Sequence, residues 1–148
     1  MLFDIELYKK VEDECGSYWT GGVDKSLISK FSEKLNVNFP KSYMEFLNKF
    51  GEGGICGTYY FGIKREDYAS VYNKTIEYRN TYKINPKWIV ISDESNEWEA
   101  YILCLDTNRI KDGECPIVKY DYVHSEEEDY KENFYDLFNF KCEVILNE

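Results

Sequence analysis

The chain has 148 residues and carries 28 Asp and Glu against 18 Lys and Arg, a formal net charge of −10. That length builds a single domain, residues 1–148, burying roughly 68–70% of the surface its unfolded form exposes, so no staples are needed. The acidic balance argues against nucleic acid and anionic membrane as partners, because phosphates are repelled, and fits a basic protein partner or simple solubility.

Asp4 is placed to cap a first helix carrying Leu7, Tyr8 and Val11 and closing near Gly16. Ser17–Gly22 reads as a loop in which Trp19 is either a lid over the core or part of a contact surface. Asp24 caps a second helix with an apolar stripe of Leu27, Ile28, Phe31 and Leu35. Pro40 suits the first turn of a third helix, and Phe39 before it is pushed toward an extended conformation. Tyr43, Phe46, Leu47 and Phe50 then lie on one helical face, and Gly51 ends the helix. Gly53, Gly54 and Gly57 let the chain turn into a strand over Thr58–Ile63. A phosphate cradle needs the opposite order, a strand before the glycines and a helix after them, and no GK[ST] follows.

Arg65–Tyr82 repeats Tyr68, Val71, Tyr72, Thr75, Tyr78 and Tyr82 at helical spacing, and Asn85-Pro86 marks the turn after it. Lys87–Ser92 and Ala100–Leu105 read as a hairpin joined by the acidic turn Asp93–Glu99, with Trp98 inside it. Pro116–Val123 alternates as a strand with one polar face. His124–Glu132 is acidic and reads as a solvated loop or the negative first turn of a helix, with Ser125 and Glu128 at capping-box spacing. Phe134, Leu137, Phe138, Cys142 and Ile145 continue as a final helix. The expected fold is α+β, with a mostly antiparallel sheet flanked by helices.

Five cysteines, Cys15, Cys56, Cys104, Cys115 and Cys142, are odd in number and contain no CxxC. They predict reduced, mostly buried thiols rather than a disulfide framework or a zinc site. The opening MLFDIELYKK does not read as a signal peptide, and no segment approaches 18 consecutive apolar residues, so a cytoplasmic protein without a membrane span is expected. Catalytic signals are sparse. His124 is the only histidine, no nucleophile motif occurs, and an enzyme would require a pocket gathering His124 with Cys104 or Cys115. Asp93, Glu94, Glu97 and Glu99 lack EF-hand spacing, and no dinucleotide fingerprint is present, so neither metal nor cofactor is expected. One feature rises above background: two acidic loops lie beside aromatic residues. Asp93, Glu94, Glu97, Trp98 and Glu99 form one set, and Tyr122, Glu126, Glu127, Glu128 and Tyr130 the other. Charge there can steer a basic partner while the aromatics anchor it.

The residues from Phe39 to Gly54 also resemble the hallmark of the SUKH superfamily, which includes the Smi/Knr fungal cell-wall-assembly regulators and many bacterial immunity proteins. That hallmark is a Leu-Pro-x-x-Tyr-x-x-Phe-Leu helix ending in a glycine turn. Here it stands as Phe39, Pro40, Tyr43, Phe46, Leu47, Gly51, Gly53 and Gly54. The preceding helix with Ile28, Phe31, Glu33 and Leu35, the hairpin WIVISDESNEWEAYILCLDT, the strand PIVKYDYV and the final helix follow in the family's order. Phe39 replaces the usual leucine, and the hairpin turn lacks the family's Gly-x-Gly-Asp-like sequence. The resemblance implies an α+β domain that binds and blocks a cognate polymorphic toxin, typically a nuclease, without catalysis. Its alternative is a general protein-interaction and regulatory module of the Smi/Knr type.

Overall fold

Three helices lead the chain, and each is bounded by the caps its sequence provides. The computed structural model describes residues 2–147. In α1 (Ile5–Cys15) the Asp4 carboxylate accepts a hydrogen bond from Leu7 N at 3.1 Å. In α2 (Lys25–Leu35) Asp24 accepts from Leu27 N at 2.9 Å, and Asn36 closes the helix in the left-handed conformation. α3 (Lys41–Phe50) starts after Pro40 and ends at Gly51. Glycine is required there: φ is 76°, and a Cβ would stand 2.1 Å from the Gly21 carbonyl oxygen.

Two antiparallel sheets follow. β1 (Ser17–Trp19), β2 (Gly53–Ile55) and β3 (Thr58–Tyr60) form a small sheet in the order β1-β2-β3. β4 (Trp88–Asp93), β5 (Tyr101–Asp106), β6 (Ile117–Asp121) and β7 (Glu126–Lys131) form a four-stranded meander in chain order. α4 (Ser70–Tyr82) docks on β4, where Thr75 Oγ1 accepts from Val90 N at 3.0 Å. α5 (Phe134–Leu146) is capped by Asn133, which accepts from Asp136 N at 2.9 Å. The architecture is the expected α+β domain.

The helices and the β4–β5 hairpin fall where the sequence places them, with several corrections. Ser17–Gly22 is not all loop, because Ser17–Trp19 pairs with Gly53–Ile55. The glycine hinge therefore also contributes a strand. β3 stops at Tyr60, after which Phe61 N turns to Ile91 O at 2.8 Å and ties the small sheet to the large one. α4 begins at Ser70 rather than Arg65, since Arg65 and Tyr68 close a turn on each other first. The acidic run 126–131 is neither loop nor helix start but β7, because the free edge of β6 offers backbone partners that outweigh its weak strand propensity.

A cluster of aromatic rings lies within the core. Phe46 is fully buried and contacts Tyr43 and Phe50 of its own helix, Trp19, Tyr60, and both Phe134 and Phe138 of α5. Tyr43, equally buried, donates its hydroxyl to Phe61 O at 2.7 Å, and burial pushes its titration well upward. Trp19 serves as the lid: its ring packs on Phe50 with centroids 4.6 Å apart, and Nε1 donates to Tyr8 Oη at 2.8 Å.

The expectation of five reduced thiols fails at two positions. Cys15 and Cys56 form a disulfide with Cα atoms 5.8 Å apart. Pairing of Ser17 with Ile55 brings the end of α1 beside the β2–β3 turn, a meeting across 41 residues that sequence spacing does not reveal. Cys104, Cys115 and Cys142 remain buried free thiols, and burial raises Cys115 to about 12 and Cys142 to about 11. A Cys15→Ser, Cys56→Ser double variant should lose about 2–4 kcal/mol of unfolding free energy while keeping its far-UV dichroism, because the bridge closes a loop across a separation of 41 residues while the buried rings stay in place. Urea denaturation checks this; an unchanged midpoint would contradict it.

Candidate functional site

The meander brings the acidic β4–β5 turn and the acidic start of β7 to one end of the large sheet. Tyr101 of β5 lies opposite Asp121 of β6, which lies opposite Glu126 of β7. The β4–β5 turn therefore stands beside the β6–β7 turn, and together with the adjoining strands they line an open groove of about 540 Å³. Trp98, Glu99, Glu126, Glu127 and Glu128 line it, together with Tyr101, Lys119, Asp121, Val123 and His124.

Each turn is braced by hydrogen bonds from its own side chains. Asn96 Oδ1 accepts from Trp98 N at 2.8 Å and Glu99 N at 3.0 Å, and Ser95 Oγ accepts from Tyr101 N at 3.1 Å. The turn thereby presents Trp98 with its side chain unsupported; the residue is 88% exposed. In the other turn Asp121 Oδ1 accepts from Val123 N at 2.9 Å and His124 N at 3.0 Å, while Oδ2 lies 2.8 Å from His124 Nδ1. Val123 is 63% exposed, a second apolar residue offered at the rim.

Lys119 stands at the centre. Its Nζ lies 4.3 Å from the Tyr101 ring centroid, 3.6 Å from Glu99 and 3.9 Å from Glu128. Further along β7, Asp129 is held by Arg109 through two bonds of 2.9 and 2.7 Å, which lowers its titration. Glu126 and Glu127 have no ion-pair partner among the described residues, so the groove's uncompensated negative charge concentrates there.

The remaining sequence candidates lie outside the groove wall, although the Tyr122 hydroxyl reaches Ser95 of the β4–β5 turn at 3.1 Å. Asp93 is exposed but engaged, accepting from Ser95 N at 2.9 Å and Tyr78 Oη at 3.1 Å. Glu94 is half-buried and ion-paired with Lys141 of α5. Glu97 is exposed in the turn beside Trp98, outside the groove wall. Tyr122 packs on Tyr78 and Tyr82 of α4, with centroids 5.3 and 4.6 Å away. Tyr130 faces Phe140 of α5 and lines a second groove, of about 660 Å³, with Asp129, Lys131 and Glu132. Sequence reasoning passed over Tyr101, Lys119, Asp121 and Val123 as site residues. The alternation in 117–121 marks Lys119 and Asp121 as one face, but their meeting with Tyr101 needs the strand register.

The groove has no catalytic arrangement of the kind considered from sequence. His124 is exposed at the turn, whereas Cys104 and Cys115 are buried, outside the groove wall, with thiols pushed upward by burial. Among the described residues no group of three or more His, Cys, Asp or Glu is arranged to hold a metal ion, and no helix is long and apolar enough to cross a membrane.

A family model described as SMI1-KNR4 cell-wall (SUKH_5) matches residues 5–145, from the first residue of α1 to the penultimate residue of α5.

The Asp121–His124 pair gives the groove a pH dependence. The hydrogen bond and charge of Asp121 raise His124 above 6.5, and Asp121 is lowered below 3.8, chiefly by its bond from the His124 backbone and then by the ring. A raised histidine contributes stability that is full below its unfolded value and lost as pH rises through the folded one. A lowered aspartate contributes stability present above its unfolded value and lost as pH falls. The pair is therefore strongest between these limits, 3.8 and 6.5. NMR titration should find His124 above 6.5, returning toward that value in Asp121→Asn; an unshifted His124 would contradict the pairing.

Proposed function

The chain belongs to the SMI1-KNR4 family of the SUKH superfamily, and on that premise we propose that it is an immunity protein, binding and blocking a cognate polymorphic toxin without catalysis. The observation that carries this reading is the groove at the sheet end, where unpaired Glu126 and Glu127 stand beside the projecting Trp98. A nuclease toxin must bind phosphates and so presents a basic cleft, which an acidic inhibitor can occupy. Charge at the rim sets the encounter rate, and a buried aromatic supplies much of the hold. Neither nucleic acid nor membrane is a partner in this reading, and no cofactor enters it.

The reading places the protein in the cytoplasm, where the toxin is made. The Cys15–Cys56 bridge, with Cys15 exposed and Cys56 half-buried, would open under a reducing poise, and the fold must then rest on its buried core. The cell-wall description of the matching family supports a second reading, a regulatory interaction module of the Smi/Knr type. A toxin gene immediately adjacent favours the first; a housekeeping neighbourhood favours the second.

Co-expression with the adjacent gene product should abolish its toxicity and yield a complex on pull-down. Trp98→Ala is expected to weaken that complex by about tenfold or more, an anchor-sized loss. Glu126→Lys with Glu127→Lys should slow association and flatten its salt dependence. Killing that continues with no complex formed would overturn the proposal, and affinity indifferent to all three substitutions would remove the groove from the interface.

A further inference from the structure

β7 is the last strand of the meander, so among the described residues its outer edge carries no partner strand. Such an edge presents unpaired backbone donors and acceptors and is a template for another chain. Two grooves adjoin β7: one crosses the sheet end from Trp98 and Tyr101 to Glu126, Glu127 and Glu128, and the other is lined by Asp129 to Glu132 of the β7 end and Phe140 of α5. An extended peptide added to β7 would gain main-chain bonds from the edge and charge attraction from the exposed carboxylates of the strand.

The composition of the edge selects the occupant. Glu126, Glu127, Glu128 and Asp129 are consecutive and exposed. A second copy of β7 would bring four like charges against four, which disfavours self-pairing. A Lys- or Arg-rich strand meets the opposite situation. Lys119 and Arg109 partly offset Glu128 and Asp129, and Lys131 is seated over the Phe140 ring at 3.6 Å, which leaves Glu126 and Glu127 as the strongest attraction. The bulge where Val118 pairs with Asp129 and Ile117 with Lys131 skips Tyr130, so continuous pairing is limited to 126–129.

We infer that β7 is a docking edge for a basic, extended segment of a protein partner, which adds to the large sheet as an additional strand. This deepens, and rests on, the reading of the acidic sheet end as the partner surface.

The test uses the full chain and a capped Lys-Thr repeat peptide long enough to span β7, with an analogue N-methylated throughout that keeps every charge but loses every N–H donor. The parent peptide should bind and slow amide exchange within 126–129, and the methylated analogue should bind about tenfold more weakly or worse. Equal binding of the two peptides would overturn strand addition and leave the electrostatic reading of the groove standing. Absence of binding, or protection elsewhere, would overturn it as well; the toxin complex tests the broader reading separately. Protection of the same amides by a concentration-dependent dimer without peptide would identify a second copy as the occupant and overturn it too.

Discussion

Phe46 holds rings from four elements at once: its own α3, β1 through Trp19, β3 through Tyr60, and α5 through Phe134 and Phe138. Edge-to-face and offset aromatic pairs of this kind contribute roughly 0.5–1.5 kcal/mol each beyond their buried area, so removing the one shared ring would forfeit several of them at once. The polar groups of α3 extend the same constraint outward. Tyr43 donates to Phe61 O, Lys41 N to Gly113 O at 2.8 Å, and Ser42 N to Glu114 at 3.0 Å. Through these bonds one short helix fixes the small sheet, the junction between the sheets and the loop that leads into β6.

That arrangement explains why the surface can be so acidic. Cohesion comes from buried rings and from the apolar stretches of β4 and β5, where Ile89, Val90, Ile91, Leu103 and Leu105 are fully buried. Few of the carboxylates at the sheet end are needed to hold the fold. Glu94 is an exception, tied to Lys141, and Asp129 with Arg109 is another. Asp93 and Asp121 brace their own turns and Lys119 engages Glu99 and Glu128, which leaves Glu126 and Glu127, with Trp98 and Val123, as the groups a partner would meet. A chain with a net charge of −10 repels itself, and a preformed core is what tolerates that repulsion.

Much of this was legible in the residues because the helices obey local rules. Asp4, Asp24 and Gly51 are caps, and the apolar residues of α2, α3 and α5 repeat at helical spacing. The β4–β5 hairpin is equally local. What escaped was non-local. Ser17–Trp19 and Gly53–Ile55 are too short to show alternation and become strands only by pairing across the chain. β7 carries poor strand formers and exists because β6 has a free edge. The disulfide depends on that same distant pairing. At the site, Trp98, Glu99 and Glu126–Glu128 were found as acids beside aromatics. Glu94, Tyr122 and Tyr130 fit that description too, but α5 and α4 hold them, a fact available only once the helices are docked.

The framework built around Phe46 holds out one acidic sheet end, which we propose as the binding surface. Hydrogen–deuterium exchange on the chain, free and saturated with its protein partner, distinguishes that surface from the rest. Slowed exchange is expected in 95–101 and 121–131, with α2, α3 and the small sheet unchanged. Protection centred on α2, α3 or the small sheet, with 95–101 and 121–131 unaffected, would contradict the proposal.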